Sequence, residues 1–152
     1  MPTEMLSPHF SLDEFTASQT ASREGINNQP ATQQHMDNLR RTAAVMEKVR
    51  TLLGNKPIIV SSGYRSPALN AAVGGSSSSA HCAGLACDFN CPGFGSSFQI
   101  CEFLAPHVGE LGIDQLINEY PTNGWVHVGL RDGEARHQVA TIDNGGFRLG
   151  LA

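Results

Sequence analysis

Between residues 30 and 53, Met36, Leu39, Ala43, Met46 and Leu53 fall on one stripe at helical spacing, with Val49 beside it. That is the pattern of an amphipathic helix laying one face on a core. Pro30 suits its first turn, Gly54-Asn55 closes it and Pro57 prevents its return. Residues 58–62 are short and β-branched and predict a strand entering a turn at Gly63; 85–90 predict a second. Ser96-Ser97 predicts the start of a helix running to about Leu104, with Pro106 kinking or restarting it. Residues 115–120 and 125–130 predict two strands joined by a turn at 121–124, and Gln138–Asp143 an edge strand. Ser11-Leu-Asp-Glu14 has the form of a capping box. The stretches 16–29 and 68–79 are polar or small and predict loops. Helices come first and short strands follow, so the expected class is α+β: one domain over 1–152, with a mostly antiparallel sheet and flanking helices. Its motif-bearing core lies at about 58–130.

Period-two alternation places chemistry on this scaffold. In the strand at 85–90, Asp88 faces away from Cys87 and Phe89. His81 stands seven residues earlier, with Gly84 allowing a sharp turn between them. His127 alternates with Val126 and Val128, which are expected to face the core. A His, Asp, His set leaves one of four tetrahedral positions open, the mark of a catalytic rather than a structural zinc. Taken singly, each residue also has a plain reading: a surface pair for His81 and Asp88, a satisfied core histidine for His127.

Composition narrows the function. A net charge of −4 supplies no basic field for a nucleic-acid backbone. No stretch approaches the ~20 apolar residues of a membrane span, and residues 1–10 have neither the cationic start nor the apolar run of an export signal. The expectation is a monomer made in the cytoplasm, binding neither nucleic acid nor membrane, and reaching any extracellular substrate only after release. Cys82, Cys87, Cys91 and Cys101 lack paired C-x-x-C spacing. Buried free thiols are favoured over two disulfides or metal ligation.

Three segments together carry a resemblance: Ser62-Gly63-Tyr64-Arg65-Ser66-Pro67, then Ser79-x-His81-x-x-Gly84-x-Ala86-x-Asp88, then Trp125-Val126-His127. They resemble the zinc D-alanyl-D-alanine carboxypeptidases and the related phage endolysin peptidases, a group sharing its core fold with the VanX dipeptidases and the hedgehog domain. The resemblance covers about residues 7–142. It implies one Zn²⁺ held by His81, Asp88 and His127, and a peptidoglycan stem peptide as substrate. It implies that Arg65 holds the substrate near the scissile bond, which suits a guanidinium fork. Ser79, Gln115 and Trp125 are candidate substrate contacts.

The general base departs from the pattern. Many relatives carry an acidic residue three positions before the last histidine, where this chain has Gly124. Glu119, across the expected hairpin from His127, is the alternative base and Asp114 the fallback. The departure also leaves room for a non-catalytic zinc module, a virion component or wall-binding domain. His137 could replace a ligand only from outside these motifs, and His9, His35 and His107 read as surface residues. The compact organisation suggests a phage source.

Overall fold

The computed structural model describes residues 4–151; residues 1–3, the first part of the stretch read for an export signal, lie outside them. The chain opens with a small hairpin of β1 (Met5–Ser7) and β2 (Phe10–Ser11), which the sequence reading did not anticipate. Ser11 then forms the expected capping box with Glu14 and starts α1 (Leu12–Thr16). Ser18 caps α2 (Gln19–Glu24), a short helix inside the expected loop. Thr32 caps α3 (Gln33–Leu52), so Pro30 precedes the helix rather than occupying its first turn. The apolar stripe holds: Leu39, Ala43, Met46, Val49 and Leu53 are all buried.

After α3 come β3 (Ile59–Ser62) and α4 (Pro67–Ala72), which turns the first half of the second expected loop into helix. A single 3-10 turn, Ala80–Ala83, leads into β4 (Ala86–Asn90). Then follow α5 (Ser97–Leu104), a 3-10 turn at Ala105–His107 where Pro106 redirects the chain, and α6 (Val108–Leu111). The strands β5 (Gln115–Glu119), β6 (Trp125–Gly129), β7 (Gln138–Asp143) and β8 (Gly146–Leu149) complete the chain.

The fold is α+β with one six-stranded sheet in the order β3-β4-β6-β5-β7-β8. The expected mostly antiparallel sheet is corrected to a mixed one, because β7 runs parallel to β5. The reason is edge occupancy. β4 and β5 already flank β6, so the chain leaving β6 must cross to the free edge of β5, where it runs in β5's direction. Nor is β7 the edge: β8 covers it antiparallel.

Alternation separates the faces of the sheet. Cys87, Phe89, Leu116, Val126 and Val128 enter the core with the α3 stripe and with Ile100 and Leu104 of α5. The opposite face carries Asp88, His127, Ile117 and Glu119. No helix among the described residues is long and apolar enough to cross a membrane. All four cysteines are free thiols; Cys87, Cys91 and Cys101 are buried and Cys82 is half-buried.

Candidate metal centre

The register of β4 against β6 puts Asp88 directly opposite His127, and that of β5 against β6 puts Glu119 opposite Trp125. Two ligand candidates thus meet across neighbouring strands. His81 arrives from the 3-10 turn, which is fixed to α3 from below: the Asn38 amide donates to the Ala83 carbonyl at 2.9 Å and the Thr42 hydroxyl to Gly84 at 2.7 Å. Gly84 has φ +80, and a Cβ there would stand 3.0 Å from the His35 carbonyl. Only glycine suits both the left-handed backbone and that approach.

His81, Asp88 and His127 are all buried, and one ligand atom from each lies within 4.8 Å of the others. His81 Nδ1–H donates to the Gly63 carbonyl at 2.6 Å, which fixes the tautomer and leaves the Nε2 lone pair turned toward Asp88 Oδ2, 3.3 Å away. Gly63 is required for this. Tyr64 N–H donates to Phe15 O at 2.7 Å, and a Cβ on Gly63 would lie 2.6 Å from that same oxygen. His127 presents Nδ1 to Asp88 Oδ1 at 2.9 Å. Its other nitrogen faces Gly129, whose missing side chain makes room for the ring: a Cβ would sit 3.0 Å from Nε2.

Electrostatics agree with a cation site. Burial would raise the Asp88 pKa, but the adjacent His81 and His127 outweigh it and hold the carboxyl well below its usual range. Burial would lower that of His127, but the bond to Asp88 and the carboxylate charges raise it. Two imidazoles and one carboxylate, with one nitrogen oriented by a backbone carbonyl, form a donor set that fits a divalent transition metal.

Around this cluster the other expected residues take distinct places. Glu119 Oε1 is 3.7 Å from His127 Nδ1. Burial raises its pKa, an effect that His127 opposes and the Asp88 charge reinforces. The buried Trp125 indole N–H has no well-formed hydrogen bond and leans toward the Glu119 carboxylate. Arg65 is held by Ser62 Oγ at 3.3 Å and Asn70 Oδ1 at 3.1 Å, which leaves Nη2 3.7 Å from Asp88 Oδ2. It lines a cleft of about 560 Å³ with Asp88, Trp125, Tyr64 and the α1–α2 connection. Ser79 caps the turn by accepting from His81 N–H at 3.2 Å. Gln115 lies on the metal face but gives its amide to Gln138 at 2.9 Å.

Two expectations are corrected. Asp114 does not serve as a fallback base: both its oxygens are bound by Arg136, at 3.0 and 2.7 Å, at the far end of β5 from Glu119. His35 is no free surface residue but half-buried against the Tyr64 ring, 5.2 Å between centroids. His9, exposed, and His107, partly exposed, lie outside the site as expected, beside Glu47 and Glu110. His137 is exposed and outside the cluster.

Gly124, the departure at the base position, has a local cause. The turn after Glu119 folds so tightly that a Cβ at 124 would lie 1.8 Å from Glu119 O and 2.1 Å from Tyr120 O. No side chain of any kind fits there.

A family model described as Peptidase M15 matches residues 8–129. The chain belongs to the peptidase M15 family. It is therefore a member of a zinc metallopeptidase family, with a His-Asp-His cluster that could hold the metal. No curated protein matches it.

Sequence reasoning missed several residues that build the site. Asn28, buried, donates to Thr16 O and Tyr64 O and accepts from Ser66 N–H, clasping the segment that carries Arg65. Asn70 positions Arg65 and donates to Ser76 O at 2.8 Å. Gly63 and Gly129 shape the two imidazole seats. The asparagines carried no signal, because their partners are backbone carbonyls distant in sequence.

Proposed function

We propose that this peptidase uses one Zn²⁺, held by His81, Asp88 and His127, to hydrolyse peptide bonds in peptidoglycan stem peptides. The bond is D-Ala-D-Ala, as in a carboxypeptidase, or L-Ala-D-Glu, as in a phage-type endolysin. The observation that carries the catalytic reading is Glu119: a half-buried carboxylate beside the cluster, on the same face of the sheet, with a pKa pushed up. Zinc, when bound, supplies the Lewis acidity that makes water nucleophilic near neutral pH and polarises the scissile carbonyl.

The chain's own groups do the rest. Glu119 takes the proton from the attacking water and passes it to the leaving amine, a role suited to a carboxylate whose affinity for protons is raised. Arg65 sits at the edge of the cluster, and its guanidinium orients the substrate and offsets charge developing on the carbonyl oxygen. Trp125 walls the cleft beside Glu119 and limits water there. The wall-peptide substrate rests on the resemblance in the three motif segments.

The test is release of new amine ends from purified wall sacculi by zinc-loaded protein, with His81→Ala as control. Glu119→Gln is expected to lower turnover by roughly 10²–10⁴-fold while stoichiometric zinc is retained. Zinc-replete wild-type protein that releases no amine ends from any wall chemotype would overturn the enzyme reading in favour of a non-catalytic zinc module. Gly124 gives that alternative no support, since the tight turn alone accounts for it.

A further inference from the structure

On β6, Trp125, His127 and Gly129 project to the same face at alternate positions, each about 6.8 Å from the next. The Arg65 cleft is bounded by Trp125 and Asp88 on one side of the cluster. At Gly129 a second hollow begins, about 370 Å³ in volume, walled by Ser79, Gln115, Asp114, Arg131 and Arg136. The two share no lining residue. Gly129 lacks the side chain that would stand between the second hollow and His127. The Arg65 cleft and the second hollow thus border the same β6 row at its two ends, at Trp125 and at Gly129, with His127 between them.

The lining of this second hollow carries two carboxylates, Asp114 and Asp132, and two guanidinium groups, Arg131 and Arg136. Asp114 is a single buried carboxylate, and Arg136 spans both its oxygens. Arg131 approaches the same carboxylate only to 4.0 Å, and among the described residues its guanidinium donates no hydrogen bond. At the mouth, Asp132 lies 3.7 Å from Arg41. Arg136 thus takes up Asp114, and Arg41, which stands outside the lining, meets Asp132, so neither carboxylate is closely bound by Arg131. Arg131, half-exposed, has its fork unspent, and a carboxylate is the group that fork binds best.

The geometry points to a substrate chain that crosses the metal cluster with residues lodged on both sides, a residue bearing a free carboxylate seated against Arg131. The scissile bond is then internal to the peptide rather than adjacent to a free C-terminus. This rests on the peptidase reading and deepens it. In a stem peptide the free carboxylate belongs to D-glutamate or to the diamino acid, and both offer Arg131 the same chemistry.

The experiment uses zinc-loaded protein and synthetic stem peptides with a blocked C-terminus. Three forms are compared: unmodified, amidated at the glutamate carboxylate, and amidated at the diamino acid carboxylate. Wild type should cleave the blocked peptide, and one of the two amidations should raise KM. Arg131→Gln should raise KM for the unmodified peptide by roughly 10–100-fold with kcat little changed, and should be insensitive to the same amidation. Peptide binding to the Glu119→Gln protein, with and without Arg131→Gln, separates the two hypotheses. A carboxylate-dependent affinity lost with Arg131 upholds the subsite even if turnover is never seen. Cleavage or binding indifferent to Arg131 and to both amidations, or cleavage confined to peptides with a free terminal carboxylate, overturns it.

Discussion

Gly129→Ala is a change of one methyl group two residues from a candidate ligand, and its effect can be worked out from the cluster. The new Cβ would stand 3.0 Å from His127 Nε2, roughly 0.5 Å inside the ~3.5–4.0 Å of a comfortable contact. Something must move. The strand is hydrogen-bonded on both sides, to β4 and β5, and Gly129 O accepts from Asp114 N–H at 2.9 Å. The ring therefore yields, and its Nδ1, now 2.9 Å from Asp88, swings with it. A shift of about 0.5 Å exceeds the ~0.2 Å tolerance of a metal–ligand distance. Zinc affinity should fall roughly 10–100-fold, the usual cost of disturbing a ligand's orientation. At fixed free zinc well above Kd, each tenfold loss removes about 1.4 kcal/mol of zinc-dependent stability. The zinc-induced rise in Tm should then shrink by roughly 3–6 °C for each tenfold loss in a domain of this size. Competition against a chromophoric chelator measures the affinity, and melting with and without zinc measures the stability. Gly109→Ala is the control, because a Cβ there meets nothing within 4 Å. An alanine at 129 that leaves zinc affinity within threefold of wild type, while the metal-free protein melts normally, would refute the claim that Gly129 makes the seat of His127.

Two further predictions concern the frame around the site. Gly124→Asp, which restores an acidic residue at the position many relatives use, should not raise activity. It should cost about 3 kcal/mol, because the Cβ collides with two backbone carbonyls of its own turn, and thermal melting checks this. The second concerns pH. Hydrogen bonds from Arg136 hold the Asp114 pKa below its usual value, so this carboxylate contributes stability that is fully present above about pH 4 and is lost as pH falls through the folded-state value. Asp114→Asn should destabilise by about 1–2 kcal/mol at neutral pH and should flatten stability against pH below pH 4. A variant that keeps the wild-type acid slope would place the titrating group elsewhere.

Much of the site was legible one segment at a time, because each signal was local. Alternation in 86–90 and 125–129 assigned Asp88 and His127 to outward faces, and Gly84 marked the turn that brings His81 toward them. Glu119 was placed correctly because a short hairpin joins it to Trp125, and short hairpins have few registers. The helix α3 was legible for the same reason: its apolar stripe depends only on spacing within itself. The short helices α2 and α4 were not, since their sequences are polar or small and they hold together by capping serines and by packing on neighbours.

Residue types and their spacing were thus enough to determine the α+β class, the two outward-facing candidate ligands and the Arg65 segment, because period and turn chemistry act over a few residues. The parallel pairing of β5 with β7 was decided only in the folded sheet, where both edges of β6 were already taken. So was the diversion of Asp114 to Arg136, a partner 22 residues away. The meaning of Gly124 also waited for the tertiary structure. In sequence it looked like a missing base; in the folded turn it is the one residue that fits, and the carboxylate near the metal cluster stands five residues earlier, at Glu119.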